Sequence, residues 1–118
     1  MPGPPDIAAR YVEAMNRADI EAMMALFAAG AQLRHMTGVF TGHEAIRNFF
    51  LEVVFANRAR LYRVASGAAG GVTWLEVEAE SDVTEGRQRV ADVFRLDETG
   101  RITDLGVYSG NPVPPGGA

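Results

Sequence analysis

Apolar residues recur every three to four positions through the first fifty residues, then every second position from about Arg60 onward. The chain therefore predicts helices first and strands after. Ile7, Ala8, Tyr11, Val12, Met15 and Ala18 make one helix face, with the start at Pro4-Pro5 because proline is tolerated in a first turn. Asp19 reads as the N-cap of a second helix with Glu21 in its first turn. Its apolar face carries Ile20, Met23, Met24 and Phe27, and Gly30 ends it. Ala31 to His35 then reads as a short strand with Ala31, Leu33 and His35 on one side, followed by a loop over Gly38 to Phe40. Thr41-Gly42-His43-Glu44 has the spacing of a capping box. The helix it opens carries Ile46, Phe49, Phe50, Val53 and Val54, and His43 in its first turn is assigned to solvent with no role.

The second half reads as four strands joined largely as hairpins: Leu61 to Ala65, Val72 to Glu80, the strand holding Asp92, and Ile102 to Tyr108. Ser66 to Gly71 is a flexible loop, and Thr84-Glu85-Gly86 and Asp97-Glu98-Thr99-Gly100 are turns. Leu75, Val77 and Ala79 alternate with Glu76, Glu78 and Glu80. Three glutamates on one face suit a solvated sheet face better than a metal site, since no histidine ligands stand near them. The order predicts an α+β fold: three N-terminal helices packed on a curved, mostly antiparallel sheet, leaving a conical pocket open at one end. Residues 1–110 form a single domain, and 111–118, rich in proline and glycine, form an irregular tail.

Composition narrows the function classes. The 118 residues carry a formal net charge of −4, and every one of the 11 basic residues is arginine. No basic face is available for nucleic acid. Without cysteine there is no disulfide, thiol nucleophile or thiolate metal site. The N-terminus lacks a basic segment followed by an apolar run, and no stretch is long enough to span a bilayer. The expectation is a cytoplasmic protein that needs neither a metal nor a cofactor.

Three residues then stand out. Asp92 shares one strand face with Val90, Phe94 and Leu96. A carboxylate among such neighbours reaches water at a bend, finds a partner, or stays protonated with a raised pKa. Tyr11 lies on the apolar stripe of the first helix, either as a core ring or as a buried donor. His35 ends an inward-facing row, either as a rim residue or as a base.

Tyr11 to Met23 with Leu26-Phe27-Ala28-Ala29, Thr41 to Phe50, and Ala91 to Ile102 resemble, respectively, the opening, the third helix and the closing hairpin of the SnoaL-like branch of the NTF2-like superfamily. The resemblance runs from about residue 6 to 109 and is greatest to the ketosteroid isomerases. Those enzymes move a double bond through a dienolate. A carboxylate base shuttles the proton, while a tyrosine and a neutral aspartic acid stabilise the enolate oxygen. The resemblance places Tyr11 and Asp92 at the two oxyanion donors. It places His35-Met36 where the family has Asp-Pro, so an imidazole replaces the carboxylate base. Phe27 and Phe50 stand where some isomerases carry supporting tyrosines, and Phe94 and Leu105 are expected to line the cavity with them.

The implied activity is acid–base chemistry on a small hydrophobic carbonyl compound, steroid or polyketide-like, with His35 as base. A neutral imidazole has an ordinary pKa near 6.5 and can take and return a proton. Each oxyanion donor would supply about 3 kcal/mol. Rival readings are a polyketide cyclase, dehydratase or epoxide hydrolase of the same fold, and a non-catalytic protein that binds a hydrophobic ligand. The resemblance also implies a homodimer through the outer sheet face, and the sequence itself offers Val93 and Val107 as candidate interface residues.

Overall fold

The computed structural model describes residues 6–112. Asp6 caps the first helix, α1 (Ile7–Asn16), by accepting a hydrogen bond from the Ala9 N–H at 2.7 Å. The expected start at Pro4-Pro5 lies outside the described residues. Asp19 caps α2 (Ile20–Met24) as predicted, its side chain accepting from the Ala22 N–H. The helix ends earlier than Gly30, however. Leu26 O accepts from Ile102 N–H at 2.8 Å, which draws the chain onto the last strand, and β1 (Phe27–His35) begins there. Gly30 thus sits inside a strand, at an irregularity in register between Phe27 and Gln32.

The predicted loop over Gly38 to Phe40 is instead a strand, β2 (Gly38–Thr41), folded back on β1 with Arg34 opposite Val39 and Gln32 opposite Thr41. That pairing holds Thr41 in the ladder, so the expected capping box does not form. Gly42, at φ +87°, makes the turn into α3 (His43–Phe49) without a side-chain cap. His43 is not simply solvated: its Nε2 donates to the Phe27 carbonyl at 2.8 Å, tying the start of α3 to β1. A π-helical turn over Phe50–Phe55 continues α3. Such turns often lie beside functional sites, and this one lies along the cavity described below.

β3 (Arg60–Ala69), β4 (Val72–Glu80), β5 (Gln88–Leu96) and β6 (Ile102–Pro112) complete the sheet. β3 continues four residues past the predicted Ala65, leaving only Gly70-Gly71 for the turn. β6 continues to Pro112, opposite Gln88, so Asn111 and Pro112 belong to a strand; the rest of the expected tail lies outside the described residues. The six strands run β2-β1-β6-β5-β4-β3. All neighbours are antiparallel except β1 and β6. This is the predicted α+β architecture, with the helices on one face of the sheet.

Alternation decides which face each strand residue joins. Leu75, Val77, Phe94, Leu105 and Leu33 are fully buried under the helices, packed with Phe27, Ile46 and Phe50. At about 25 cal/mol per Å² of apolar area removed from water, this inner layer is the main source of stability. The outer face carries Glu76, Glu78 and Glu80, and here the glutamates are paired rather than merely solvated. Arg89 bridges Glu76 and Glu78 at 3.2 and 3.3 Å, and Arg87 bridges Glu78 and Glu80 at 3.1 and 3.4 Å. Arg87 also stacks on the Tyr62 ring, whose hydroxyl donates to Glu80 at 2.6 Å. None of the described helices is long and apolar enough to cross a membrane.

Candidate active site

Between the helices and the inner face of the sheet lies a cavity of about 330 Å³. That is near the lower end for small-molecule sites, roughly 300–1,000 Å³. Its walls are Met15 from α1, Phe49, Phe50 and Val54 from α3 and the π-helical turn, and Val90 and Val107 from β5 and β6. Tyr11, His35 and Asp92 all line it. The three residues singled out from the sequence therefore meet in one place.

Asp92 owes its position to the β5 ladder. It lies opposite Leu75 on β4 and Val107 on β6, flanked on its own face by Val90 and Phe94. Only 2% of its surface is exposed. Among the described residues it has no ion pair and no side-chain hydrogen bond. Burial without a partner penalises the charged form, and the carboxyl is pushed up to about 7. At neutral pH it exists in both protonation states.

Tyr11 comes from the middle of α1, 3% exposed, with its ring edge-on to Phe94 at 5.1 Å and to Phe50 at 6.3 Å. Burial first, and the Asp92 charge second, hold its phenol well above the ordinary tyrosine range. It stays a hydrogen-bond donor throughout the physiological range.

His35 sits nearer the mouth, half-buried, its ring 5.1 Å from that of Phe49. Burial lowers its pKa. The backbone N–H of Thr37 donates to His35 Nδ1 at 3.2 Å, and the Thr37 hydroxyl lies 2.9 Å from the same nitrogen. A backbone N–H can only donate, so Nδ1 accepts and the neutral ring carries its proton on Nε2. His35 presents an N–H there, not a lone pair.

The structure places the four residues expected to line the cavity at different depths. Phe50 forms wall, but Phe27, Phe94 and Leu105 are sealed beneath the cavity at 0–2% exposure and do not line it. Their side chains belong to the packed apex, where helix and sheet leave no space. Val107, read from the sequence as an interface residue, faces the cavity because it pairs with Asp92 on the same side of the ladder. Val93, one residue on from Asp92, takes the outer face opposite Trp74. The mouth holds polar residues that the sequence reading missed: Asn57, Ser81, Thr84 and Gln88. Gln88 carried a signal, since period-two counting back from Asp92 through Val90 reaches it. Among the described residues no cluster of three or more acidic or histidine side chains could hold a metal ion.

The model of the SnoaL-like domain matches residues 8–105. Among solved structures, a candidate polyketide cyclase from Sinorhizobium meliloti superposes with a TM-score of 0.80 at 20% identity, covering 88% of this chain and 94% of its own. SalBIII, the epoxide hydrolase/cyclase-like enzyme of pyran-ring formation in the polyether salinomycin, gives 0.74 at 23% identity, with 86% of each chain covered. A protein with a ketosteroid isomerase-like fold from Catenulispora acidiphila, in complex with trimethylamine, gives 0.77 at 21% identity, covering 90% of this chain and 86% of its own. No curated protein sequence matches the chain. At these identities the structural likenesses speak for the fold alone, but the domain match spans most of the chain, and the protein belongs to the SnoaL-like family of the NTF2-like superfamily.

Proposed function

We propose that this protein is an acid–base enzyme acting on a small apolar carbonyl compound, with Tyr11 as oxyanion donor and Asp92 as the group that moves the proton. The observation that carries the reading is Asp92 itself. An unpartnered carboxyl that titrates near 7 inside an apolar cavity is costly to keep, and its pKa matches that of an efficient general acid–base catalyst.

The reading from sequence made His35 the base and Asp92 a neutral donor. The Thr37 N–H bonded to His35 Nδ1 supports exchanging those roles, because protonating the ring there requires breaking that contact. In the revised assignment the ionised Asp92 removes a proton alpha to the carbonyl. The C–H electron pair moves into the new enolate, and the Tyr11 O–H donates to the enolate oxygen. The protonated Asp92 then returns the proton to another carbon of the conjugated system, which completes a double-bond isomerisation. His35 is left as an N–H donor nearer the mouth.

Intramolecular ring closure is the second reading, supported by the likeness to SalBIII and to a candidate polyketide cyclase. It uses the same enolate and needs an electrophilic carbonyl within the same substrate.

The test is conversion of a β,γ-unsaturated ketosteroid to its conjugated enone, followed by ultraviolet absorbance. Asp92→Asn is expected to lower kcat by at least about 100-fold, and His35→Ala by less than tenfold. A larger loss for His35→Ala would return the base to His35. No turnover by the wild type would exclude isomerisation.

A further inference from the structure

The cavity is polar at both ends and apolar between. At the deep end stand Tyr11 and Asp92. The inner face of β5 then runs outward through Val90 to Gln88, which lines the cavity beside Ala79, its partner on β4. Four residues of strand separate Asp92 from Gln88, about 13 Å at 3.2–3.4 Å per residue.

Around Gln88 the mouth is built from two segments that lock together. The Asp82 N–H donates to the Asn57 carbonyl at 2.8 Å, and Arg58 pairs with Asp82 at 2.8 Å. These contacts hold the end of the π-helical turn against the turn between β4 and β5. Within that turn the hydroxyl of Thr84 accepts from the Ser81 N–H at 2.9 Å, so it is committed locally. The Asn57 amide nitrogen donates to the Val53 carbonyl at 2.6 Å, which leaves its oxygen as an acceptor. The Gln88 amide makes no hydrogen bond among the described residues, leaving both donor and acceptor available. Beyond it, Met36 and Val83 line the opening at 71% and 73% exposure, apolar surface that a protruding ligand would cover.

Taking Tyr11 and Asp92 as the site of the reacting carbonyl, we infer that Gln88 and the Asn57 oxygen form a distal subsite for a second polar group on the substrate. The substrate class is an elongated apolar carbonyl compound that bears a second oxygen function at its far end. Gln88 fixes which end enters first. A hydroxyl or carbonyl left in the apolar waist between Met15 and Val90 would have no partner there, and that cost sets the orientation.

The experiment compares two phenols that present the same ring to Tyr11 and Asp92: oestradiol, and the corresponding phenol lacking the distal hydroxyl. Calorimetric titration of the wild-type protein is expected to show oestradiol binding roughly five- to tenfold more tightly, the contribution of one net hydrogen bond. Gln88→Leu should remove most of that preference while leaving affinity for the deoxy phenol unchanged, which also reports that the variant is folded. Tyr11→Phe should weaken both phenols equally. Equal wild-type affinities, or equal weakening of both phenols by Gln88→Leu, would overturn the distal subsite and leave the Tyr11–Asp92 reading standing. Failure of both phenols to bind would overturn that reading and the subsite with it.

Discussion

The two faces of the β4–β5 hairpin treat carboxylates in opposite ways. On the outer face Glu76, Glu78 and Glu80 are matched by Arg87 and Arg89 across the ladder, and the Tyr62 hydroxyl and then Arg87 hold Glu80 below the ordinary glutamate range. On the inner face, Asp92 has Leu75 and Val107 as cross-strand neighbours and is driven up to about 7. Hairpin and backbone are shared, so the difference lies in what stands opposite and in how far water reaches each carboxyl. A cation opposite keeps a carboxylate charged, and an apolar wall makes it titrate where a catalyst needs it. The outer face keeps its carboxylates charged, and the inner face holds one where it can exchange a proton.

Removing the acid tests that contrast most severely. Asp92→Asn should cost at least about 100-fold in turnover and at the same time stabilise the protein above neutral pH. The sign follows from proton linkage. The folded-state pKa of Asp92 lies above its unfolded value of 3.8, so the folded protein binds the extra proton and is favoured at low pH. That advantage is lost as pH rises from about 4 to about 7, for a total of roughly 4 kcal/mol at 1.36 kcal/mol per unit. Thermal denaturation at pH 8 should therefore show Asp92→Asn melting several degrees above the wild type, with the gap shrinking toward pH 4. An asparagine variant less stable than wild type at pH 8 would contradict the account.

Importing the outer-face rule to the inner face sharpens it. Val107 pairs directly with Asp92 and lines the cavity. Val107→Lys should place an ammonium within reach and lower the Asp92 pKa by about 1–3 units. With Asp92 as base, wild-type kcat/KM rises with pH through a midpoint near 7, and this variant should move the midpoint down. A profile that falls through 7 would instead identify the protonated Asp92 as the working form.

The smallest effect belongs to the outer face. Arg89→Met removes the bridge to Glu76 and Glu78, which lie partly buried on the outer face, away from the cavity. Turnover and its pH midpoint should stay at wild-type values. A shifted midpoint would mean that the outer charges reach Asp92 through the sheet.

Much of this contrast was legible in the sequence, because alternation in a strand assigns faces unambiguously. Asp92 and the three glutamates, and the burial of Tyr11 on α1, follow from parity and helical spacing alone. What alternation does not give is depth. Phe94, Asp92, Val90 and Gln88 share one face, yet Phe94 is sealed at the apex while the other three meet the cavity. That distinction depends on how far along the cone each residue sits, which helix packing decides. Strand starts were hidden for a similar reason. Phe27 suits a helix face as well as a strand, and only its parallel pairing with Ile102, 75 residues on, settles the choice. The orientation of His35 was likewise unreadable, since it turns on a contact from the Thr37 backbone.

The central claim is that the cavity holds Asp92 poised between its two protonation states at neutral pH. Carbon NMR of the protein labelled at its aspartate carboxyl carbons, assigned by comparison with Asp92→Asn, follows that titration directly. The account predicts one carboxyl titrating with a midpoint near 7. A midpoint near 4, the ordinary aspartate value, would contradict it.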